Sequence, residues 1–495
     1  MSLYTQNDLT AISDNWETIL KEVERQKDVM LEPPKDEIIS VHQVICDFVK
    51  QHNRKIYGGY ALNMLIKNKN PKDAVYKEDQ VPDIDFYSPE PIIDLMKLCN
   101  ILHKAGYKAI LGREALHQET YNITVNCLTY CDITYVPKNI YNRMPFTQLN
   151  QFNVIRSDFM WIDYLRMFTD PMRSYWRMNN DLKSLRRFFL LQKYYNFPVN
   201  NNSIDIEGST PDIDKVLNVV YNFLLYKKST ISIGFYAYNY FLNESGVIDS
   251  SKNKKFKMLP IPYFEFISTN FREDCLNLID MIRNIPLINT SKITREEFYP
   301  FFQYLDHSVE IYYDGDLIAR IYNHNRLCIP YIDVRAVNFL NNETTRDDSF
   351  VRIGTFPVNL MYMISSIMRA RVKKDDSEQY LYHAISSHLI EMRNYFFKKT
   401  RTNILSDTIF REFSSKCVGK TMTLERERKL LIESRKKNNK KWIFSYEPSD
   451  ELKEPESSYV FSNTSGNKII NSKNLKLAAI KVENSIEGDF DDDVN

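Results

Sequence analysis

Three acidic side chains set behind a pair of glycines are the residues of this chain whose types and spacing can do chemistry. The glycines lie in Ile56-Tyr57-Gly58-Gly59-Tyr60-Ala61-Leu62-Asn63. Two acids lie in Pro82-Asp83-Ile84-Asp85-Phe86-Tyr87-Ser88, and the third in Cys131-Asp132-Ile133-Thr134-Tyr135-Val136. Asp83 and Asp85 alternate with Ile84 and Phe86, so a strand here puts both carboxylates on one face and both apolar side chains on the other. Two glycines let the backbone bend sharply and approach a phosphate closely. A helix opening after them, from about Tyr60, aims free N–H groups and its positive end at that phosphate. Mg²⁺ binds through a few carboxylates, substrate phosphates and water. Two such ions about 3.5–4 Å apart clamp the attacking and leaving oxygens of an in-line displacement. The expected site therefore holds two divalent metal ions on Asp83, Asp85 and Asp132, with Asp132 beside the attacking hydroxyl. Gly58, Gly59, Tyr60 and Asn63 are expected to face a nucleoside triphosphate. Asp-x-Asp and Gly-Gly are each common; their order in a strand–helix setting is what gives them meaning.

These motifs resemble the DNA polymerase β-like nucleotidyltransferase superfamily, in its template-independent branch. They are most similar to the poly(A) polymerase catalytic subunits of poxviruses and other large DNA viruses. Tyr57-Gly58-Gly59-Tyr60-Ala61-Leu62 and Asp83-Ile84-Asp85 carry the resemblance, which covers about residues 55–136. It implies addition of AMP from ATP to an RNA 3′ end, release of pyrophosphate, and a need for Mg²⁺ or Mn²⁺. Members commonly have Gly-Ser in the turn; here Tyr60 follows Gly59, which leaves phosphate contact to backbone N–H groups. A CCA-adding enzyme and an oligoadenylate or small-molecule nucleotidyltransferase share the three acids, so these readings stay open. A non-catalytic RNA-binding scaffold is the alternative of another class.

Length and composition fit a globular protein of two or three domains. The chain has 495 residues, 43% hydrophobic and 26% charged, with net charge +1, so affinity for RNA must come from local basic patches. Seven cysteines without a Cys-x-x-Cys pair favour free thiols in a reducing compartment. Cys127 and Cys131 read as core residues, and His383 and His388 as surface residues. No apolar run is long enough to span a membrane, and Met1–Gln6 is no signal peptide. A cytoplasmic location, in the host cell or virion if the chain is viral, is the expectation.

The expected fold is α+β: a mixed nucleotidyltransferase sheet with flanking helices, a second degenerate copy, and a helical, partly disordered C-terminus. Residues 1–55 form a helical brace, with helices over Asp8–Val29 and Asp36–Lys50. Residues 56–200 form the catalytic domain and a helical extension rich in Arg and aromatics. There Lys183 and Arg187 are candidates for the triphosphate, and Arg173 and Arg177 for the RNA backbone. Residues 201–214 are a linker. Residues 215–400 repeat the layout faintly: Ile231–Asn239 echoes the glycine turn with one residue inserted and Ile233 in the place of Gly58. Pro262–Ser268 echoes the Asp83 strand, with Tyr263 and Glu265 replacing the acids. Arg326–Ile332 echoes the Asp132 strand, with Ile329 replacing the third acid. A copy that has lost its acids is inert and serves as a wall of the RNA cleft. Residues 401–446 form a basic helical segment in which Arg435, Lys436 and Lys437 track phosphates and Trp442 stacks on a base. Residues 447–495 form a disordered tail. Only about 55 residues precede the glycine turn, fewer than in poxvirus enzymes, and a homodimer is the expected substitute for the missing domain.

Overall fold

Turn residues and apolar alternation divide the chain into two halves built on one plan. The computed structural model describes residues 3–449 except 32, 78–79, 118, 167–168, 171–177, 249–254, 303–304, 325–326, 341–345, 415 and 439–442. The first half runs α1 (Gln6–Leu31), α2 (Lys35–Gln51), β1 (Lys55–Tyr57), α3 (Gly58–Lys69), β2 (Ile84–Ser88), α4 (Pro91–Lys104), β3 (Ile110–Glu114), β4 (Thr120–Val125), β5 (Leu128–Tyr135), α5 (Lys138–Arg143), β6 (Phe146–Leu149), β7 (Phe152–Ile155), α6 (Ser157–Arg166) and α7 (Met178–Tyr194). The second runs α8 (Pro211–Tyr226), β8 (Thr230–Ile233), α9 (Gly234–Ser245), β9 (Phe264–Ser268), α10 (Phe271–Arg283), β10 (Ile293–Phe298), β11 (Ser308–Tyr313), β12 (Asp316–Asn323), β13 (Ile329–Val337), β14 (Arg346–Gly354), α11 (Phe356–Lys373) and α12 (Asp376–Thr400). A C-terminal segment adds β15 (Cys417–Val418), α13 (Leu424–Lys437) and β16 (Ser445–Tyr446).

The strands form two eight-stranded sheets, β16-β3-β4-β5-β2-β1-β7-β6 and β10-β11-β12-β9-β8-β14-β13-β15. Read from β3 and from β10, the two orders correspond strand for strand through β6 and β13. In each half a short strand leads into a helix through a glycine, pairs antiparallel with the next strand, and that strand runs parallel to the third. One apolar core runs through both halves. Further contacts join them: Phe197 stacks on His383 at 5.3 Å, and the Asn200 N–H donates to Ser387 Oγ at 2.7 Å.

The structure corrects several readings of the sequence. Only α2 braces the first sheet, burying Val41, Ile45, Cys46, Phe48 and Val49; each such side chain contributes ~1.5–3 kcal/mol. The apolar row of α1, by contrast, stays exposed from Leu9 to Val23. Cys328 and Cys417 form a disulfide, so the cysteines are not all free thiols. Antiparallel pairing of Pro330 with Cys417 brings these two together across 89 residues of chain, which spacing alone cannot reveal. Cys127 is exposed, in the left-handed turn between β4 and β5 at φ 67°. His388 is fully buried against Tyr238, 3.1 Å away, and burial pushes its pKa down to about 4. Among the described residues no helix is long and apolar enough to cross a membrane. The expected disordered tail lies outside the described residues from position 450 on.

Candidate active site

The glycine turn is a close approach forced by Asp85. Gly58 has φ +69°, and a Cβ there would sit 2.9 Å from the Asp85 carboxyl carbon and collide with its Oδ2. β1 pairs Tyr57 with Asp85, so the chain must turn in the left-handed region directly beside the carboxylate, which only glycine does cheaply. The Gly59 N–H donates to that carboxylate. α3 starts at Gly58 with no side-chain cap, so its first turn, apart from the Gly59 N–H, is left for an anionic ligand.

Parallel pairing of β2 with β5 places Asp85 directly opposite Asp132. Asp83, one residue before β2, is exposed at the mouth. The like charges are close enough to oppose ionisation. Burial, then Asp83 and Asp132, hold the Asp85 carboxyl well above the usual range, with Arg187 and the Gly59 N–H opposing. Burial and Asp83 raise Asp132 to about 6. Asp132 Oδ1 is buried with no hydrogen-bond partner. Such a set of mutually repelling acids with an unsatisfied oxygen fits a cation. Among the described residues no group of three or more His, Cys, Asp or Glu forms a ready-made cage; phosphate and water oxygens complete the shell of Mg²⁺ in sites of this type.

The other residues expected here have varied placements. Arg187, on α7, comes to the turn: its Nη1 lies 3.0 Å from where a Gly59 Cβ would be. Lys183, one turn earlier, is exposed. Tyr60 points away from the turn and packs edge-on against His42 and Phe152 at 5.5 and 5.8 Å. Asn63 accepts from the N–H groups of Val75 and Tyr76 at 2.7 and 3.3 Å, holding the 71–82 connection rather than a ligand. Arg435 makes a two-pronged pair with Glu114 at 2.7 and 3.0 Å, which anchors α13 on the first sheet; Lys436 and Lys437 are exposed. Arg173, Arg177 and Trp442 lie outside the described residues. Sequence reading passed over Tyr76, which covers the turn; a lone tyrosine in a polar connection carries no periodic signal.

The second sheet repeats the frame and closes the site. Ile233 and Gly234 reproduce the backbone of Tyr57 and Gly58, with φ +67° at Gly234 against +69° at Gly58. Gly58 therefore corresponds to Gly234, not Ile233, and no residue is inserted; Phe235 stands at the place of Gly59. Ser268 donates to Asp274 as Ser88 donates to Asp94, at 2.6 and 2.5 Å. The counterpart of Asp132 is Arg320, because β12 pairs parallel with β9 and sets Arg320 opposite Glu265. Ile329 instead starts β13, the counterpart of β6. The guanidinium lies where a cation would be needed: it meets Glu310 at 2.8 Å, Glu378 at 3.0 Å and Glu265 at 3.3 Å. Arg369 joins Glu310 and Glu378.

Comparison with known proteins agrees with this geometry. A family model of the poly(A) polymerase catalytic subunit matches residues 43–174. A model described as APMV putative poly(A) polymerase, catalytic subunit, C-terminal matches residues 191–479. The putative poly(A) polymerase catalytic subunit of Acanthamoeba polyphaga mimivirus is 32% identical over 99% of this chain and 86% of its own length. The African swine fever virus protein of the same description (strain Badajoz 1971 Vero-adapted) is 28% identical over 33% of this chain and 34% of its own length. The crystal structure of the Megavirus polyadenylate synthase superposes with a TM-score of 0.81 at 31% identity, over 96% of this chain and 94% of that one. Two sheets on one plan, the first bearing the acids, thus have full-length viral relatives, and the chain belongs to the poly(A) polymerase catalytic subunit family.

Proposed function

We propose that this polymerase transfers AMP from ATP to an RNA 3′ end by two-metal nucleotidyl transfer at Asp83, Asp85 and Asp132. The observation that carries this reading is the register pairing of Asp85 with Asp132 beside the Gly58 turn. A pair of divalent ions, Mg²⁺ or Mn²⁺, supplies charge neutralisation of the triphosphate and activation of the 3′-hydroxyl when bound. Asp83 and Asp85 would hold the ion on the triphosphate, and with Asp132 the ion beside the hydroxyl. The open N–H groups of α3 and the Arg187 guanidinium face the phosphates. The bond between the 3′-oxygen and the α-phosphorus forms as that to the β-phosphate oxygen breaks, pyrophosphate leaves, and the hydroxyl proton passes toward Asp132 or water. Lys183, Lys436 and Lys437 are the exposed cations we assign to the RNA backbone. Incubation with a short RNA and each labelled nucleoside triphosphate tests the assignment. Long tails of A alone are expected; a short CCA end, or AMP transfer without RNA, would support a rival nucleotidyltransferase instead.

We infer further that the protein pairs with a second copy through α1. Leu9, Ile12, Trp16, Ile19 and Val23 recur every three or four residues, and each is 41–57% exposed. That spacing is the seam of a two-helix coiled coil. Sedimentation should give a dimer mass that Trp16→Glu converts to monomer. A monomer mass for the unaltered chain across working concentrations removes the inference.

A further inference from the structure

Tyr76 stands over the glycine turn in a way the three acids do not account for. A Cβ added to Gly59 would collide with the Tyr76 hydroxyl, and Arg187 Nη1 would lie 3.0 Å from it. The Arg187 guanidinium lies 5.1 Å from the centre of the Tyr76 ring. The phenol feels Arg187, Asp83 and Asp85 together. Its position is not accidental: Asn63 on α3 accepts from the N–H of Val75 and of Tyr76, clamping the 71–82 connection onto the helix that carries the turn.

The inert half supplies an internal control. Asn239, the counterpart of Asn63, clamps its own connection in the same manner, accepting from the Leu259 N–H at 2.9 Å and donating to the Leu259 carbonyl at 2.8 Å. The residue after Leu259 is Pro260, where the first half has Tyr76 after Val75. The space left open by Gly59 is filled permanently in the second half by the Phe235 ring, which packs edge-on against Tyr263 at 5.2 Å. Thus the clamp is kept in both halves, while the tyrosine and the space beneath it occur only in the half that bears the acids.

We propose that Tyr76 is a displaceable cover of the triphosphate site and a positioning residue for Arg187. In the free enzyme its hydroxyl closes onto Gly59. An entering triphosphate takes that place, and the ring, moved aside, keeps the guanidinium turned toward the β- and γ-phosphates. The inference rests on the proposed reaction with ATP. It is tested with Tyr76→Leu, which removes the ring, and Tyr76→Phe, which keeps it. Steady-state AMP incorporation gives KM and kcat. The rise in melting temperature on adding inorganic tripolyphosphate with Mg²⁺ reads phosphate binding without turnover. The Leu variant is expected to raise KM for ATP about tenfold and to lose most of the tripolyphosphate shift, the size of a desolvated cation–ring contact. Its kcat should change by no more than about threefold, and the Phe variant should stay within about twofold of wild type in each readout. A Leu variant with wild-type KM, a loss confined to kcat, or a Phe variant as impaired as Leu would overturn the proposal. Absence of AMP incorporation by the wild type would instead remove the assigned reaction, while the tripolyphosphate shift would still judge the positioning of Arg187.

Discussion

Asp85→Asn abolishes AMP incorporation and leaves the fold at least as stable as before. Divalent ions contribute several kcal/mol of charge stabilisation to phosphoryl-type transfer, so loss of the shared ligand should cost roughly 10³-fold or more in rate. The stability side follows from the electrostatics. Burial and the neighbouring Asp83 and Asp132 raise the Asp85 pKa in the folded state. The folded protein therefore binds more protons than the unfolded chain above the ordinary carboxylate pKa, and its stability falls as pH rises through that interval. Asp132 adds a second such penalty between about 3.8 and about 6. At pH 7.5 the Asp132 penalty is complete and the Asp85 carboxyl, held well above the ordinary range, weighs on the folded state as well; an asparagine at position 85 relieves the second. The melting temperature of the variant at pH 7.5 should equal or exceed that of the wild type, and the difference should shrink toward pH 4. Mg²⁺ or Mn²⁺ should raise the melting temperature of the wild type and not of the variant. Wild-type incorporation by the variant refutes the site; a variant that melts well below wild type refutes the stored repulsion.

Arg320→Met should be the most damaging substitution outside the catalytic site. The Arg320 side chain is 4% exposed and pairs with Glu265, Glu310 and Glu378. Removing the cation leaves Glu310 and Glu378 with Arg369 and strands Glu265, and breaking a buried pair in this way costs about 3–5 kcal/mol. Urea unfolding of the variant should show a midpoint shift of that size. Adding Glu265→Gln to Arg320→Met should recover part of it, because one of the stranded charges is removed. The pH dependence has a definite sign. Burial pushes the Glu310 pKa up, but Arg320 and Arg369 outweigh it and hold the carboxyl at about 2. Its stabilising contribution is therefore complete above about 4.5 and is lost as pH falls from there through about 2. In Arg320→Met the folded pKa rises, so the contribution is smaller and its loss should be complete at higher pH. A variant with the wild-type midpoint would show that the cluster holds nothing together.

The two substitutions also define the division of labour between the halves. Both sheets place a polar residue of the third strand opposite an acid of the second. In the first half that residue is another acid, and in the proposed reaction a divalent cation would relieve the repulsion. In the second half it is an arginine, and the charge is neutralised once, at folding. The same backbone frame therefore holds clustered acids on one side and a paired arginine on the other. The C-terminal segment ties the two, adding β15 to the second sheet and β16 to the first.

Much of the site was determined by the sequence alone, because its signals are local. Period-two alternation predicted one face for Asp83 and Asp85, and adjacent glycines ahead of an apolar helical run marked the turn. The second copy was also visible, since Ile233-Gly234-Phe235 and Pro262–Ser268 keep apolar patterns at matching places. What the tertiary structure alone decided are the pairings between distant strands. The apolar pattern of Arg326–Ile332 suggested the place of the Asp132 strand; hydrogen bonding of β12 to β9 gives that place to Asp316–Asn323 instead and makes Arg320 the substitute. The Cys328–Cys417 disulfide, the burial of His388 and the cover formed by Tyr76 have the same origin. Each depends on which surfaces meet when elements apart in the chain pack together. Local residue order encodes backbone shape and side-chain face, whereas these contacts are set by the packing of elements tens to hundreds of residues apart.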